Sequence, residues 1–348
     1  MAKTKNADTT DPPDPRRALT FSELVGNEPL REYLQRAWSR GRLPQALLLY
    51  GPEGIGKSST AFALARTVVA DGADPASHPR SLKVARDVHP DVIELSGRGS
   101  ISSMIRVDHV RWLEERVRTA PLESPRKMVL IEPADRMNPG AANALLKLLE
   151  EPPPSLTLIL VTPEPNRLLD TIRSRCAPLS FEPVAVDELS RWLQQRHATP
   201  ADRADLLARL SEGRPGHALR MLRAGTLEGR QQIMQALAAL LDHGFSAVFR
   251  AAQRIAGDGD DAAHGLMMAT MLLRDAMVIK TRAGSILHQD LANQIEALAG
   301  RVSMAGLLEA AEQCERAAAE MTYFYHPGAR QHFVEWVTIE VGRALNAA

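Results

Sequence analysis

Short apolar runs alternate with helical patterns along the first half of the chain. The runs contain four to seven residues, and they occupy positions 46–50, 92–95, 128–131, 156–162 and 178–181. Strands of a parallel sheet are buried on both faces, so they read as unbroken apolar runs. Helical segments between such strands cover both faces of the sheet. The pattern therefore predicts an α/β fold with a parallel sheet over about residues 19–182.

The remaining chain carries polar or purely helical patterns. Residues 1–18 are polar and rich in proline, which predicts a disordered tail. Residues 183–225 predict a small helical module, and residues 226–348 predict a third, all-helical domain. One apolar stripe of that domain is Leu266, Met267, Met271, Leu273 and Met277. We interpret its methionines as core residues rather than as a cofactor site.

A phosphate-binding pattern, G-x-x-x-x-G-K-S, occupies residues 51–58 and directly follows the first apolar run. Its glycines allow backbone N–H groups to approach phosphate oxygens, and the next helix places its positive end at the same point. Lys57 is expected to reach the β- and γ-phosphates, and Ser58 to face Mg²⁺. The alternative is a glycine-rich turn that only connects strand to helix. The predicted nucleotide contacts in this stretch are Gly51, Pro52, Gly54, Ile55, Gly56, Lys57, Ser58 and Ser59.

An acidic residue, Glu132, ends the apolar run at 128–131. Open α/β sheets bind ligands at the carboxyl ends of their strands, where a phosphate-loop enzyme holds its magnesium. Glu132 is therefore the candidate Mg²⁺-associated residue. The alternative is an acidic side chain that only faces solvent.

Charge and cysteine content narrow the functional classes. Lysine plus arginine and aspartate plus glutamate both total 42, which argues against binding nucleic acid through a chain-wide basic surface. The two cysteines, Cys176 and Cys314, form neither a disulfide framework nor a zinc motif. The chain contains no apolar run of membrane-spanning length and no apolar signal core, so a cytoplasmic protein is expected.

The block NALLKLLEEPPPSLTLILVTPEPNRLLDTIRSRC, residues 143–176, together with the phosphate loop, resembles the clamp-loader subunits of bacterial DNA polymerase III, in particular the delta-prime type. These proteins belong to the AAA+ class. The resemblance implies an AAA+ domain over residues 19–182, a helical lid over 183–225 and an all-α collar domain over 226–348. It runs with specific motifs from about Phe21 to Leu222 and continues more weakly to the C-terminus.

The resemblance also assigns roles to individual residues. Ser174-Arg175-Cys176 matches a family motif whose arginine reaches into the ATP site of the adjacent subunit, so Arg175 is expected to act as an arginine finger in trans. Val25 and Gly26, followed by Asn27, match the segment beside the adenine. Thr162 matches the polar sensor at the end of the strand next to the nucleotide.

Three departures from the family pattern bear on activity. The magnesium strand of an active family member ends in Asp-Glu, whereas this chain has Glu132-Pro133, and proline cannot activate water. The second sensor is usually an arginine, and the matching position here is Gly216. Relatives often bind zinc through four cysteines after the phosphate-loop helix, but residues 71–90 contain none, so no zinc site is predicted.

The resemblance therefore implies a subunit that binds ATP, with Mg²⁺, but hydrolyses little of it. Such a chain is a component of the DNA-directed DNA polymerase III holoenzyme without being a polymerase or an efficient ATPase itself. Its implied partners are the motor subunits gamma/tau and the delta subunit in a hetero-pentamer, the sliding clamp and, through the complex, primer-template DNA. The alternatives are an active clamp-loader motor subunit, which the intact phosphate loop favours, and another AAA+ machine such as a branch-migration motor.

Overall fold

A computed structural model describes residues 14–96, 104–223, 226–241, 251–252, 262–321 and 327–347. The chain divides into two compact units. The first comprises Met1–Trp192 and Glu212–His217, and the second comprises Leu193–Ser211 and Ala218–Ala348. The predicted lid, residues 183–225, is thus shared between the two units, and the predicted domain boundaries stay predictions.

In the described part of the first unit, five parallel strands form the sheet, and each lies on one of the predicted apolar runs. They are β1 Ala46–Tyr50, β2 Val92–Ser96, β3 Lys127–Glu132, β4 Leu156–Thr162 and β5 Ala177–Ser180. Their order in the sheet is β2-β3-β4-β1-β5. The parallel α/β fold predicted from the apolar runs is therefore confirmed.

Among the described residues of this unit, one α-helix precedes the first strand and five connect the strands. They are α1 Glu28–Ser39, α2 Lys57–Ala70, α3 Pro79–Ala85, α4 Val107–Val117, α5 Pro139–Glu150 and α6 Asp170–Arg173. Side chains alternate between the two faces of each strand. In β1, Leu47 and Leu49 belong to the core that contains Phe62 of α2, whereas Leu48 belongs to the core that contains Leu145 of α5. Both faces of the sheet are covered as predicted.

The N-terminal segment differs from its prediction. Residues 15–18, which were expected to end a disordered tail, form the short 3-10 helix Pro15–Ala18. The prediction is wrong for these residues because Arg17 is buried, with its guanidinium 4.6 Å from the centre of the Phe62 ring and an ion pair to Asp87. A second 3-10 helix, Phe21–Glu23, follows. Residues 1–13 lie outside the described part of the chain.

The rest of the described chain is helical. Its helices are α7 Val186–His197, α8 Ala201–Leu210, α9 Pro215–Arg223, α10 Thr226–Leu240, α11 Ala262–Thr281, α12 Ala292–Arg301, α13 Met304–Glu320 and α14 Pro327–Leu345. In the second unit, the buried Asp275 of α11 accepts hydrogen bonds from the backbone N–H groups of Leu287 and His288, each at 2.9 Å. The predicted all-helical C-terminal region is confirmed, and none of the described helices is long and apolar enough to cross a membrane.

Candidate nucleotide site and arginine surface

The phosphate loop lies between β1 and α2, at the carboxyl end of the sheet. Gly51 has a φ of +139°, and a Cβ atom there would lie 2.5 Å from the carbonyl oxygen of Phe181. Glycine is therefore required at position 51 for two reasons: the backbone of Phe181 passes close to it, and its own φ angle is positive. Ile55 is buried in the core beneath the loop, Ser59 is half-buried and Pro52 is exposed.

Lys57 is folded back onto its own loop. Its Nζ donates hydrogen bonds to the carbonyl oxygens of Gly51 at 2.6 Å and Pro52 at 2.8 Å, and the residue is buried. This burial lowers the pKa of Lys57 to about 8, against the opposing influence of Glu132 and other nearby carboxylates. A bound phosphate would replace the two carbonyl oxygens as the partner of the ammonium group.

Glu132 lies beside the loop, as the position of its strand predicts. Its Oε1 accepts a hydrogen bond from the Ser58 hydroxyl at 2.6 Å, and its Oε2 pairs with Nη1 of Arg16 at 3.0 Å. The next residue, Pro133, contributes no carboxylate. The structure thus brings Ser58 and Glu132 together, and it adds a cation from the N-terminal segment that the sequence did not indicate.

The candidate sensor residue, Thr162, ends β4 and is fully buried. Its hydroxyl donates to Oδ1 of Asp135 at 2.6 Å and accepts the backbone N–H of Glu164 at 3.0 Å. Asp135 lies three positions after the last residue of β3 and was not singled out in the sequence. The hydroxyl of Thr162 is therefore oriented by its neighbours, and a sensor role for it stays a prediction.

The candidate adenine-side segment, residues 25–27, is hydrogen-bonded to Glu182 and Glu188. The backbone N–H of Gly26 donates to Glu188 at 3.2 Å, and the Asn27 side chain exchanges two hydrogen bonds with the backbone of Glu182, at 3.0 and 2.9 Å. Val25 is half-buried beside them. These bonds hold the segment in place, and a contact with adenine stays a prediction.

Gly216, which is predicted to match the position of the family's sensor arginine, packs directly on the phosphate loop. Its backbone N–H donates to the carbonyl oxygen of Gly54 at 2.7 Å. A Cβ atom at Gly216 would lie 2.9 Å from that oxygen. The family's arginine is thus absent from a position that has little room for any side chain in this geometry.

Arg175 lies at the other end of the sheet from the phosphate loop. Its side chain is 37% exposed, and its Nη2 pairs with Glu150 at 2.8 Å while Nη1 donates to the carbonyl oxygen of Thr171 at 2.9 Å. Arg175 contributes to the wall of a cleft of about 420 Å³. The cleft is lined by Pro44, Gln45, Ala46, Leu149, Pro152, Leu158, Ser174, Arg175, Cys176 and Ala177.

Sequence reasoning missed three of the charged residues at these sites. Arg16 sits in a polar stretch, and its partner Glu132 is 116 positions away, so no local pattern connects them. Asp135 and Glu150 lie within recognisable motifs, but nothing in their spacing indicates the partner that each holds. Among the residues that the structure describes, no group of three or more histidine, cysteine, aspartate or glutamate side chains is arranged to hold a metal ion.

Two sequence models of polymerase subunits match this chain. The model described as "DNA polymerase III, delta subunit" matches residues 26–185, and "DNA polymerase III, delta subunit, C terminal" matches residues 224–336. The DNA polymerase III delta-prime subunit of Escherichia coli (strain K12) is 30% identical over 276 residues, which cover 78% of this chain and 81% of the relative. The chain belongs to the DNA polymerase III delta-prime family. The resemblance inferred from the motifs is thereby confirmed.

A second delta-prime relative is consistent with the family assignment. The delta-prime subunit of Pseudomonas aeruginosa is 37% identical over 219 residues, which span 60% of this chain and 66% of that relative, just under two thirds of its length. Among solved structures, a Thermotoga maritima RuvB Holliday junction branch migration motor aligns with 83% of this chain and 93% of its own, at 17% identity and a TM-score of 0.46. The family assignment rests on the sequence relatives.

Proposed function

We propose that this chain is a delta-prime-type clamp-loader subunit that donates Arg175 to the ATP site of a neighbouring subunit. Its own phosphate loop binds nucleotide and hydrolyses little of it. In this role the chain helps to load the sliding clamp onto primed DNA. The partners are those implied by the family: gamma/tau motor subunits and a delta subunit in a hetero-pentamer in the cytoplasm.

The position of Arg175 is the observation that carries this proposal. In the parallel sheet, Ala177 of β5 is opposite Leu47 of β1, so Arg175 lies near the amino end of β1. The phosphate loop follows the carboxyl end of the same strand. Five residues of β1 separate the two ends, and at about 3.3 Å per residue they span about 16 Å. Arg175 is therefore badly placed to serve its own loop, and its exposed cleft suits a site on another chain.

The residues around the phosphate loop support the proposal that this chain hydrolyses ATP only slowly. Pro133 supplies no general base, and Gly216 approaches the loop too closely for the usual arginine. Loss of one preorganised catalytic group commonly costs about 10²–10³ in rate. The combination favours a subunit that binds nucleotide without turning it over efficiently. The intact phosphate loop remains the main feature in favour of the runner-up, an active motor subunit.

Reconstitution tests the proposal. Clamp loading onto primed DNA is measured with motor and delta subunits, in the presence and absence of this chain. We expect loading to require the chain, and the Lys57→Ala variant to support loading within about twofold of wild type because its own site is not the one that turns over. A complex that loads clamps equally well without the chain would contradict the proposal. Loss of most loading in Lys57→Ala would favour the motor subunit instead.

A further inference from the structure

A magnesium site in a phosphate-loop protein needs oxygen ligands that face the metal. In this chain the candidate ligands face one another. The Ser58 hydroxyl donates to Oε1 of Glu132 at 2.6 Å, and Oε2 of Glu132 is paired with the Arg16 guanidinium at 3.0 Å. The side chains, as arranged, do not fit a magnesium ion, because a cation from the chain already pairs with the acidic ligand.

Arg16 is held in this position by a network of its own. Its Nε donates to both carboxylate oxygens of Asp14, at 2.9 and 2.8 Å, and the Asp14 carboxylate also accepts the backbone N–H of Arg16 at 3.0 Å. Only 24% of the Arg16 side chain is exposed, and only 13% of that of Glu132. The pair is therefore substantially withdrawn from solvent, where a charge-assisted hydrogen bond is stronger than at an open surface.

The segment that carries Arg16 is docked on the helix that follows the phosphate loop. Arg17 is buried between Phe62 of α2 and the carboxylates of Asp87 and Glu94. Arg66 of α2 donates a hydrogen bond to the carbonyl oxygen of Ala18. Because α2 begins with Lys57 and Ser58, the same helix positions both the loop residues and the N-terminal segment. The Arg16 contact is thus part of the packing of this unit.

We propose that Arg16 takes the place of the magnesium ion in this nucleotide site, so that the chain holds the phosphates of ADP or ATP without a divalent metal. The inference rests on the proposed nucleotide binding by the loop. A guanidinium is permanently charged and has five N–H groups, of which the described hydrogen bonds to Asp14 and Glu132 use three. It can neutralise phosphate charge together with Lys57, but it brings no metal-bound water or Lewis acid to the γ-phosphate.

The test measures affinity for ADP and for ATP by calorimetry, with the full chain, once in EDTA and once in magnesium chloride. We expect the wild-type dissociation constants to differ by less than about threefold between the two conditions. In Arg16→Gln, affinity in EDTA should fall by about tenfold or more, since a charge-assisted contact is lost. Magnesium should restore the nucleotide affinity of Arg16→Gln, because the substitution removes the guanidinium that pairs with Glu132 in the wild type. Arg16→Lys keeps the charge and should retain part of the magnesium independence.

Retention of Mn²⁺ by the chain in the presence of ADP is a second readout, which does not depend on the affinity measurement. We expect Arg16→Gln to retain Mn²⁺ and wild type to retain little. The exposed Arg36→Gln is the matched control, and it should behave as wild type. Wild-type binding that requires magnesium would overturn this inference alone. Failure of wild type to bind either nucleotide in both conditions would overturn it together with the proposed nucleotide binding, whereas the role of Arg175 is tested separately in the assembled complex.

Discussion

Replacement of Arg175 by alanine is expected to abolish most ATP hydrolysis at one site of the assembled clamp loader while leaving this chain's fold intact. An arginine supplied in trans stabilises the charge that develops on the transferring phosphoryl group, and it contributes about 10³–10⁵ to the rate. We expect single-turnover hydrolysis at the served site to fall by about 10³-fold or more. Nucleotide affinity at that site should change far less, because the arginine acts mainly on the transition state.

Two further variants separate this role from a general loss of charge. Arg173 lies two positions before Arg175 and is paired with Asp170 and Asn166, so Arg173→Ala removes a nearby arginine with local partners only. A complex that contains Arg173→Ala should hydrolyse ATP at the wild-type rate. Glu150→Gln removes the carboxylate that holds Arg175 and should leave hydrolysis near wild type. DNA-stimulated hydrolysis that is unchanged in Arg175→Ala would show that the arginine does not act in trans.

Asp91→Asn is expected to destabilise the first unit strongly although it is a conservative substitution. Asp91 is fully buried just before β2, and its carboxylate accepts the backbone N–H groups of Leu122 at 2.8 Å, Glu123 at 2.7 Å and Ser124 at 2.9 Å. An asparagine offers one oxygen and turns a donor toward the remaining N–H groups. We expect the free energy of unfolding of this unit to fall by about 2–4 kcal/mol, measured by amide hydrogen exchange in β2 and β3.

The effect should depend on pH in a defined direction. Burial alone would raise the pKa of Asp91, but the hydrogen bonds from the backbone of residues 122–124 and from the Ser124 hydroxyl lower it below the ordinary value of 3.8. A carboxyl whose pKa is depressed by folding contributes its full stabilisation above that ordinary value, and loses it as the pH falls through the folded-state pKa. The difference between wild type and Asp91→Asn should therefore be constant from pH 7 to about pH 5 and shrink below pH 4.

An exposed aspartate provides the control. Asp74 also accepts a backbone N–H, from Ala76 at 3.0 Å, and a hydroxyl, from Ser77 at 2.9 Å, but it lies in an exposed turn. Because water can replace these partners, Asp74→Asn should change stability much less than Asp91→Asn. Equal losses in the two variants would contradict the assigned role of the buried carboxylate.

The sheet was predictable because its strands are buried on both faces. The unbroken apolar runs at β1, β3 and β4 predict such strands without any knowledge of the residues that pack on them. Helix phase was harder to predict in α11, where Met267, Met271 and Met277 are only half-buried while Met268 and Leu272 are buried. This helix is apolar on several sides, so spacing alone does not select the buried face.

The candidate site was predictable as a motif but not as a set of contacts. The loop and the strand-end position of Glu132 follow from local sequence, whereas Arg16 and Arg17 reach Glu132 and Glu94 across long separations. The pairing of Arg175 with Glu150 could likewise not be predicted from the sequence, although both residues lie in the block 143–176. The sequence predicted that Gly216 replaces the family's arginine. The structure adds that the backbone N–H of Gly216 donates a hydrogen bond to Gly54.

We propose that the phosphate loop binds the phosphates of ATP but that its surroundings lack the groups needed to hydrolyse it. ATP turnover by the purified chain alone tests this. We predict that the chain binds ATP through Lys57 but turns it over at least about 10³-fold more slowly than a clamp-loader subunit that retains the Asp-Glu pair. Turnover at a rate comparable to such a subunit, abolished by Lys57→Ala, would contradict the account.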